Sequence, residues 1–461
     1  MMQILNRKKP IDAVVPNGEQ GLARSLSGLD LTLLGIGAVI GAGIFVLTGV
    51  AAATKAGPAL SLSFVVGGLA CLFAALVYAE FASTVPVAGS AYTYTYVTLG
   101  EFPAWIIGWD LILEYALACA VVAIGWSGYF LRLLDGLGIH LPEELTRGPL
   151  EGGVVNLPAA GVMLLISAIL ALGVRQTSLV NSLIVITKLA VIAIFFYAAA
   201  PHVEPANWQP FMPFGWSGVM AGAGLIFFAY IGFDAVSTAA EEARNPQRDM
   251  PIGIIGSLAI CTLIYIAVTV VLTGIAPYGS LNVSDPIAFA LVQAGERFAG
   301  AVISVGAVAG LTSVLLVLLY GQTRLFYAMS QDGLLPPVFA ALHPRFRTPA
   351  RTTLGTGIAI ALAAGLLPIR QVAELVNVGT LAAFVVVSVA VLYLRRTQPD
   401  LHRPFRTPFM PWTPILAIIA CVYLIASLDG MTLLRFVIWM LVGMLLYFFY
   451  ARSHSRIGRG G

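Results

Sequence analysis

The chain has 461 residues, 59% hydrophobic and only 10% charged, with a formal net charge of +3. Soluble globular domains carry roughly 25% charged residues, so this composition excludes one and predicts an all-α polytopic membrane protein. The small positive balance sits in loop arginines and gives no ground for a nucleic-acid partner.

In chain order, residues 1–29 are polar, with Arg7, Lys8, Lys9 and Arg24, and contain no compact apolar core followed by a small-residue cleavage site. No removable leader is expected there. A spanning helix needs about 20 apolar residues. Twelve such runs follow: 30–54, 59–84, 103–131, 157–173, 179–199, 217–240, 252–275, 298–324, 352–367, 372–394, 411–429 and 432–450. Proline- and charge-bearing stretches separate them, among them 201–213, 244–246 and 397–411, and 451–461 forms a polar tail. Cys71, Cys119, Cys261 and Cys421 lie inside apolar runs without metal spacing, which suits small buried hydrophobes.

The first run is unusual. Leu31 to Phe45 reads LTLLGIGAVIGAGIF, with glycines at 35, 37, 41 and 43. A helix that unwinds at Gly41-Ala42-Gly43 exposes amide N–H groups at the start of a second half-helix, which is a site for a carboxylate. Gly37 and Gly41 also form a GxxxG pair that serves close helix packing alone. In the sixth run, Phe227 to Asp234 places Gly232 and an acid inside an apolar span, and Asp234 suits the N-cap of a half-helix restarting there. Paired interruptions in matching halves predict an inverted-repeat transporter with its site between the breaks. A larger residue at Gly43 is expected to be tolerated less well than one at Gly49.

Ionisable side chains at bilayer depth are expensive and need a reason. Lys188 sits nine residues into the fifth run, about 13 Å deep at 1.5 Å per residue. Two roles fit it: a proton carrier, or a structural lysine pinned to carbonyls at the helix break. Glu114, near the midplane of the third run, can face a substrate ammonium or hold a neighbouring helix. Asp110, one turn earlier, reads as structural, and Glu80, at the end of the second run, as structural or gating. In the eighth run Ala309, Thr312 and Ser313 share one face at i, i+3 and i+4. The two hydroxyls can coordinate sodium or bond their own backbone.

Lys and Arg set the orientation. With both termini on one side, that side carries eighteen, from Arg7 through Arg175, Arg244, Arg345, Arg347 and Arg403 to Arg459. The other side carries six, and Lys188 completes the 25. Cytoplasmic termini in the cell membrane are expected.

The motifs together resemble a known family. Gly41-Ala-Gly-Ile-Phe45 resembles a signature of the amino acid–polyamine–organocation superfamily. Phe228-Ala-Tyr-Ile-Gly-Phe-Asp234, Glu241-Glu-Ala-Arg-Asn-Pro246, Gly321-Gln-Thr-Arg324, Met329 to Pro336 and Arg403-Pro-Phe-Arg-Thr-Pro408 are similar to its cationic amino acid transporter branch. The likeness runs from about Gly28 to the last helix.

The resemblance implies twelve transmembrane helices in a five-plus-five inverted repeat of the leucine-transporter type. The repeats would be 30–199 and 217–394, helices 1 and 6 would be broken, and two further helices would span 411–450. On that model Ile40 borders the substrate, and the amides of Gly41, Ala42, Gly43 and Ile44 take its carboxylate. Carbonyls of Phe228, Ala229 and Ile231 take the ammonium, and Phe228 is the outer lid. Lys188 matches a lysine of proton-coupled members, with Gly37, Ile40, Thr312 and Ser313 as its implied neighbours. Ala42 departs from the family by lacking the hydroxyl that Ser or Thr often supplies there.

The function expected is secondary active L-amino acid transport by alternating access: proton-coupled import of small to medium neutral amino acids, with cationic ones also in range. Leu318 with Val317 forms a bulky apolar wall, and Glu114 is the acid for a cationic side chain. An arginine or lysine exchanger is the alternative within the class, and an ion channel the alternative outside it. No enzymatic constellation, metal site or cofactor is expected, since the five histidines lie in loops or the tail. The partners expected are the amino acid, protons and the lipid bilayer; small single-helix or lipid partners are left open.

Overall fold

The computed structural model describes residues 26–84, 90–173, 178–234, 236–237, 243–344 and 348–457, with backbone only at 90 and 178–182. Several expectations lie outside the described residues: nearly all of segment 1–29 with its basic residues, Arg175, Glu241-Glu242, Arg345, Arg347, and the end of the tail with Arg459.

The described chain is helical, and the one β-bridge recorded pairs Leu26 with Ala243. Apolar runs without backbone partners in lipid must bond internally, and helices are how one segment does that. The first run opens as α1 (Gly28–Val39), its N-terminus closed by a capping box in which Asp30 N donates to Ser27 Oγ and Ser27 N to Asp30 Oδ2. The chain leaves the helix at Ile40. It restarts as a wide π-helical turn, Gly43–Leu47, then α2 (Thr48–Ala51) and a second π turn, Ala52–Ala56.

Next come α3 (Leu60–Thr84), the short α4 (Ser90–Thr98), α5 (Glu101–Gly136), α6 (Leu157–Ala171) and α7 (Ser178–Ala199). The sixth run is α8 (Gly215–Ile226), tightening into a 3-10 turn at Phe227–Tyr230. There follow α9 (Pro246–Ile275), α10 (Pro286–Gln293), α11 (Arg297–Gln331), α12 (Ala350–Leu366), α13 (Ile369–Thr397), α14 (Trp412–Ala426), α15 (Gly430–Leu446) and the short α16 (Arg452–His454). Among the described residues, seven segments are long and apolar enough to cross a membrane, and five shorter apolar helices accompany them, among them α1 and the broken sixth run.

Packing places the breaks at the centre. α9 lies on both α1 and α3, α11 runs along α5 and α7, and α13 along α5. Small residues let these helices close. A Cβ at Gly37 would meet Val185 of α7 at 2.5 Å, and one at Gly306 of α11 would collide with Val191. α15 is riveted to α5 by Trp109 and Trp439, whose rings stack at 4.4 Å while each indole N–H donates to the other's carbonyl, at 2.9 and 3.1 Å.

Ion pairs hold α13 at both ends. At its first end, Glu374 meets Arg370 of the same helix at 3.1 Å and Lys55 at 3.8 Å. At its last end, Glu80 at the end of α3 accepts two bonds from Arg395, at 2.8 and 2.7 Å, and one from Thr407 N, with Arg403 3.4 Å away. Glu80 therefore joins α3, α13 and the loop before α14.

Candidate functional site

Breaking a helix leaves its last carbonyls and first amides without partners. At the end of α1 the donors arrive from other helices. Lys188 Nζ donates to Gly37 O at 2.8 Å, and Tyr265 OH of α9 donates to Val39 O at 2.8 Å. A cationic amine there also faces the negative end of the helix dipole. Ile40 is extended, with φ −72 and ψ 99, and its N–H closes the last turn onto Ile36 O. Phe45 N reaches Gly41 O at 3.3 Å, so Gly41 starts the second half-helix. The amides of Ala42, Gly43 and Ile44 form its first turn, with no preceding turn to bond. The π turn behind it is held by Thr48, whose backbone N–H and hydroxyl both donate to Gly43 O, and by Tyr129 OH on Phe45 O.

The sixth run breaks against the first. Ile231 is extended, Gly232 has φ +117, and a Cβ on Gly232 would come within 2.9 Å of the Ala38 carbonyl. Only glycine suits that backbone and that space. On the other side of the break, a Cβ on Gly43 would overlap the Ala229 backbone and come within 2.5 Å of its Cβ. Backbone therefore meets backbone at Gly43–Ala229 and at Ala38–Gly232. Asp234 Oδ1 accepts from Gly232 N at 3.3 Å, so it braces the break from below. Of the amides an N-cap at 234 would serve, those of Val236 and Ser237, Val236 N donates to Phe233 O at 3.3 Å; residues 235 and 238–242 lie outside the described set.

A family model described as amino acid permease matches residues 26–450. The chain belongs to the amino acid permease family. The permease is 53% identical to the methylthioribose transporter of Bacillus subtilis strain 168, over 99% of this chain and all of that one. It is 52% identical to the branched-chain amino acid permease BcaP of the same organism, over 98% and 99%. With human cationic amino acid transporter 4 it shares 42% identity, over 86% of this chain and 63% of that one. It is a multi-pass protein of the cell membrane, and a transporter rather than an enzyme.

The other anticipated site residues of the permease fall as follows. Phe228 and Ala229 are buried, Ile231 is half-buried, and Phe228 O already accepts Ile231 N at 3.2 Å. Of the four groups expected around Lys188, which is 2% exposed, Gly37 alone bonds it among the described residues. Thr312 donates to Val308 O and accepts from Trp126 Nε1 at 2.9 Å, so its hydroxyl is committed to α5. Ser313 is buried, and Ile40 O makes no recorded bond to the lysine. The Lys188 stem lies along Gly310 of α11, where a Cβ would approach its Cε to 3.1 Å.

Glu114, 3% exposed, lies within electrostatic reach of Asp234 and Asp110 and beside Thr380 of α13. Leu318 is half-buried, and Val317 is exposed on the outside of α11. The residue of α11 that lies over the break is Val314, one turn before Leu318: a Cβ on Gly41 would touch it at 3.6 Å. Val314 was not singled out in the sequence, where it is one aliphatic residue in an aliphatic run. Its mark would have been its place between Gly310 and Leu318 on one helical face.

Tyr265, Tyr129 and Asn377 were missed as well. Asn377 Nδ2 donates to both Gly224 O and Leu225 O, at 2.7 and 2.8 Å, where α8 tightens into the 3-10 turn and releases carbonyls from their usual bonds.

Proposed function

We propose that this permease imports small and medium neutral L-amino acids with protons by alternating access. Its repeats would be two inverted five-helix halves followed by two further helices, with both termini cytoplasmic. The observation that carries this reading is the meeting of two interrupted helices at Gly43–Ala229, with the first-turn amides of Ala42, Gly43 and Ile44, which bond no preceding turn among the described residues, on one side and carbonyls of Ala229 and Ile231 on the other. Amides at a helix start suit a carboxylate, and carbonyls at a helix end suit an ammonium. An α-amino acid presents both on one carbon.

Lys188 fits the proton-carrying role because it is buried and, among the described residues, bonded only by a neutral carbonyl of the same broken helix, with no carboxylate bonded to it. Val314 and Leu318 make the side-chain wall apolar, which agrees with a relative named for branched-chain amino acids. Glu114 sits among two other acids, and supports weaker carriage of arginine or lysine.

A second reading comes from the relative named a methylthioribose transporter, which is as similar as the branched-chain permease. That thioether sugar has neither carboxylate nor ammonium, so it would leave the two helix ends without their complement. Uptake into proteoliposomes in sodium-free buffer separates the two readings. Labelled alanine and leucine should accumulate saturably with an inward proton gradient, and a protonophore should abolish the accumulation. The methyl esters should fail to compete. Carriage of methylthioribose with no competition from any amino acid would overturn the proposal.

A further inference from the structure

Asp110 lies on α5, one turn before Glu114, and is 1% exposed. Among the described residues, neither of its carboxyl oxygens has a hydrogen-bond partner. Its carboxyl group is pressed on the backbone of α13: a Cβ on Gly379 would come within 2.6 Å of Oδ1, so a glycine is what admits it. An acid kept for structure would hold something, and this one holds nothing. An apolar residue would fill the same space without desolvating a polar group.

The groups around it offer no counter-charge. On its own helix the neighbour is Glu114, and through Glu114 come Asp234 of the sixth run and the Thr380 hydroxyl of α13. From α11, Gln322 spends its amide on Ile112 O at 3.2 Å. From α15, Trp439 is occupied with Trp109. No lysine, arginine or histidine bonds Asp110 among the described residues. A carboxylate here would be an unpaired charge in a buried site beside other acids, whereas the neutral acid leaves only hydrogen bonds unmade.

We propose that Asp110 is a proton-binding site of this permease, separate from Lys188, which holds its proton while α5 and α13 are packed together and ionises when they part. α13 is tied to the rest of the fold by ion pairs at its two ends, Glu374 to Lys55 at the first and Arg395 to Glu80 at the last. Movement of α13 therefore changes what surrounds Asp110 in its middle. Protonation then favours the packed state over the parted one, which is the differential that coupling requires. The consequence for transport rests on the proton-coupled reading above. The site itself does not.

Infrared difference spectra of the full-length permease in lipid, recorded at neutral pH in light and heavy water, test the site directly. The wild type should show a protonated-carboxyl stretching band that is lost in D110N and kept in K188A. If D110N does not fold, wild type grown with carbon-13 aspartate should shift the same band, and its absence from the aspartate signal would overturn the proposal. In proteoliposomes D110N should exchange substrate between equal pools at near the wild-type rate, while its net uptake loses its dependence on external pH. An unchanged band with an unchanged pH profile would also overturn it. Were the wild type to show the band yet move no protons with substrate, the coupling reading would fail and the site would stand.

Discussion

Gly43 meets Ala229 backbone to backbone, and any side chain there must push two helix breaks apart. Overpacking of this kind costs about 1–3 kcal/mol when side chains can give, and more when backbone must. Gly43→Ala should therefore lower uptake severely. Gly49, expected from the sequence to be more tolerant, is crowded too: a Cβ there would meet Leu281 O at 2.5 Å and overlap Pro286. The proper comparison is Gly355 on α12, where nothing lies within 4 Å. Gly355→Ala should transport like wild type, and equal damage at 43 and 355 would remove the break from the site. Lys188 carries a second residue-scale prediction. Lys188→Ala removes a donor from Gly37 O and, on the proposed mechanism, a proton carrier. Folding measured by monodisperse elution should persist and exchange should continue, while accumulation driven by a proton gradient is lost. A structural lysine would show the opposite pattern, with folding lost and any surviving protein still coupled.

At the scale of elements, the breaks were legible because glycine and aspartate are conspicuous inside apolar runs. What repairs them was not. The donors that satisfy the freed carbonyls come from far along the chain: Tyr265 to Val39 spans 226 residues and Asn377 to Gly224 spans 153. No local pattern announces such pairs. Asp110 shows the same limit from the other side, since a sequence reveals an acid at depth but not that nothing pairs with it. The hydroxyl of Thr312, read from the sequence as a candidate ligand, is claimed by Trp126. Asn377 makes the element-scale prediction. Asn377→Ala leaves two buried carbonyls without their donor, at a cost of about 1–3 kcal/mol each. Because those carbonyls precede Phe228 and Ala229, the variant should raise the KM for alanine more than it lowers the protein's thermal stability. Asn377→Gln, which keeps the donor, should recover part of the affinity. A fall in thermal stability with KM unchanged would assign Asn377 to folding alone.

Across the whole molecule, α13 acts as a ruler. It has 29 residues, about 43 Å at 1.5 Å per residue, enough to cross the hydrocarbon core. The chain around Glu143 is tied to its first end, since Asn156 N bonds Gly365 O at 2.8 Å just before α13 begins, and Val154 N bonds Glu144 O. The loop holding His402 follows its last end, where Arg403 donates to the carbonyls of Leu394 and Gln398 and pairs with Glu80. His402 and Glu143 are both exposed and lie at opposite ends of one helix. On the proposed orientation, which follows the excess of basic residues, the His402 end is cytoplasmic. The native cysteines at 71, 119, 261 and 421 are all buried, so background labelling is small. A single cysteine at position 143 should react with an impermeant maleimide on intact cells, and one at 402 only after the cells are opened. Reaction at 402 on intact cells would invert the orientation.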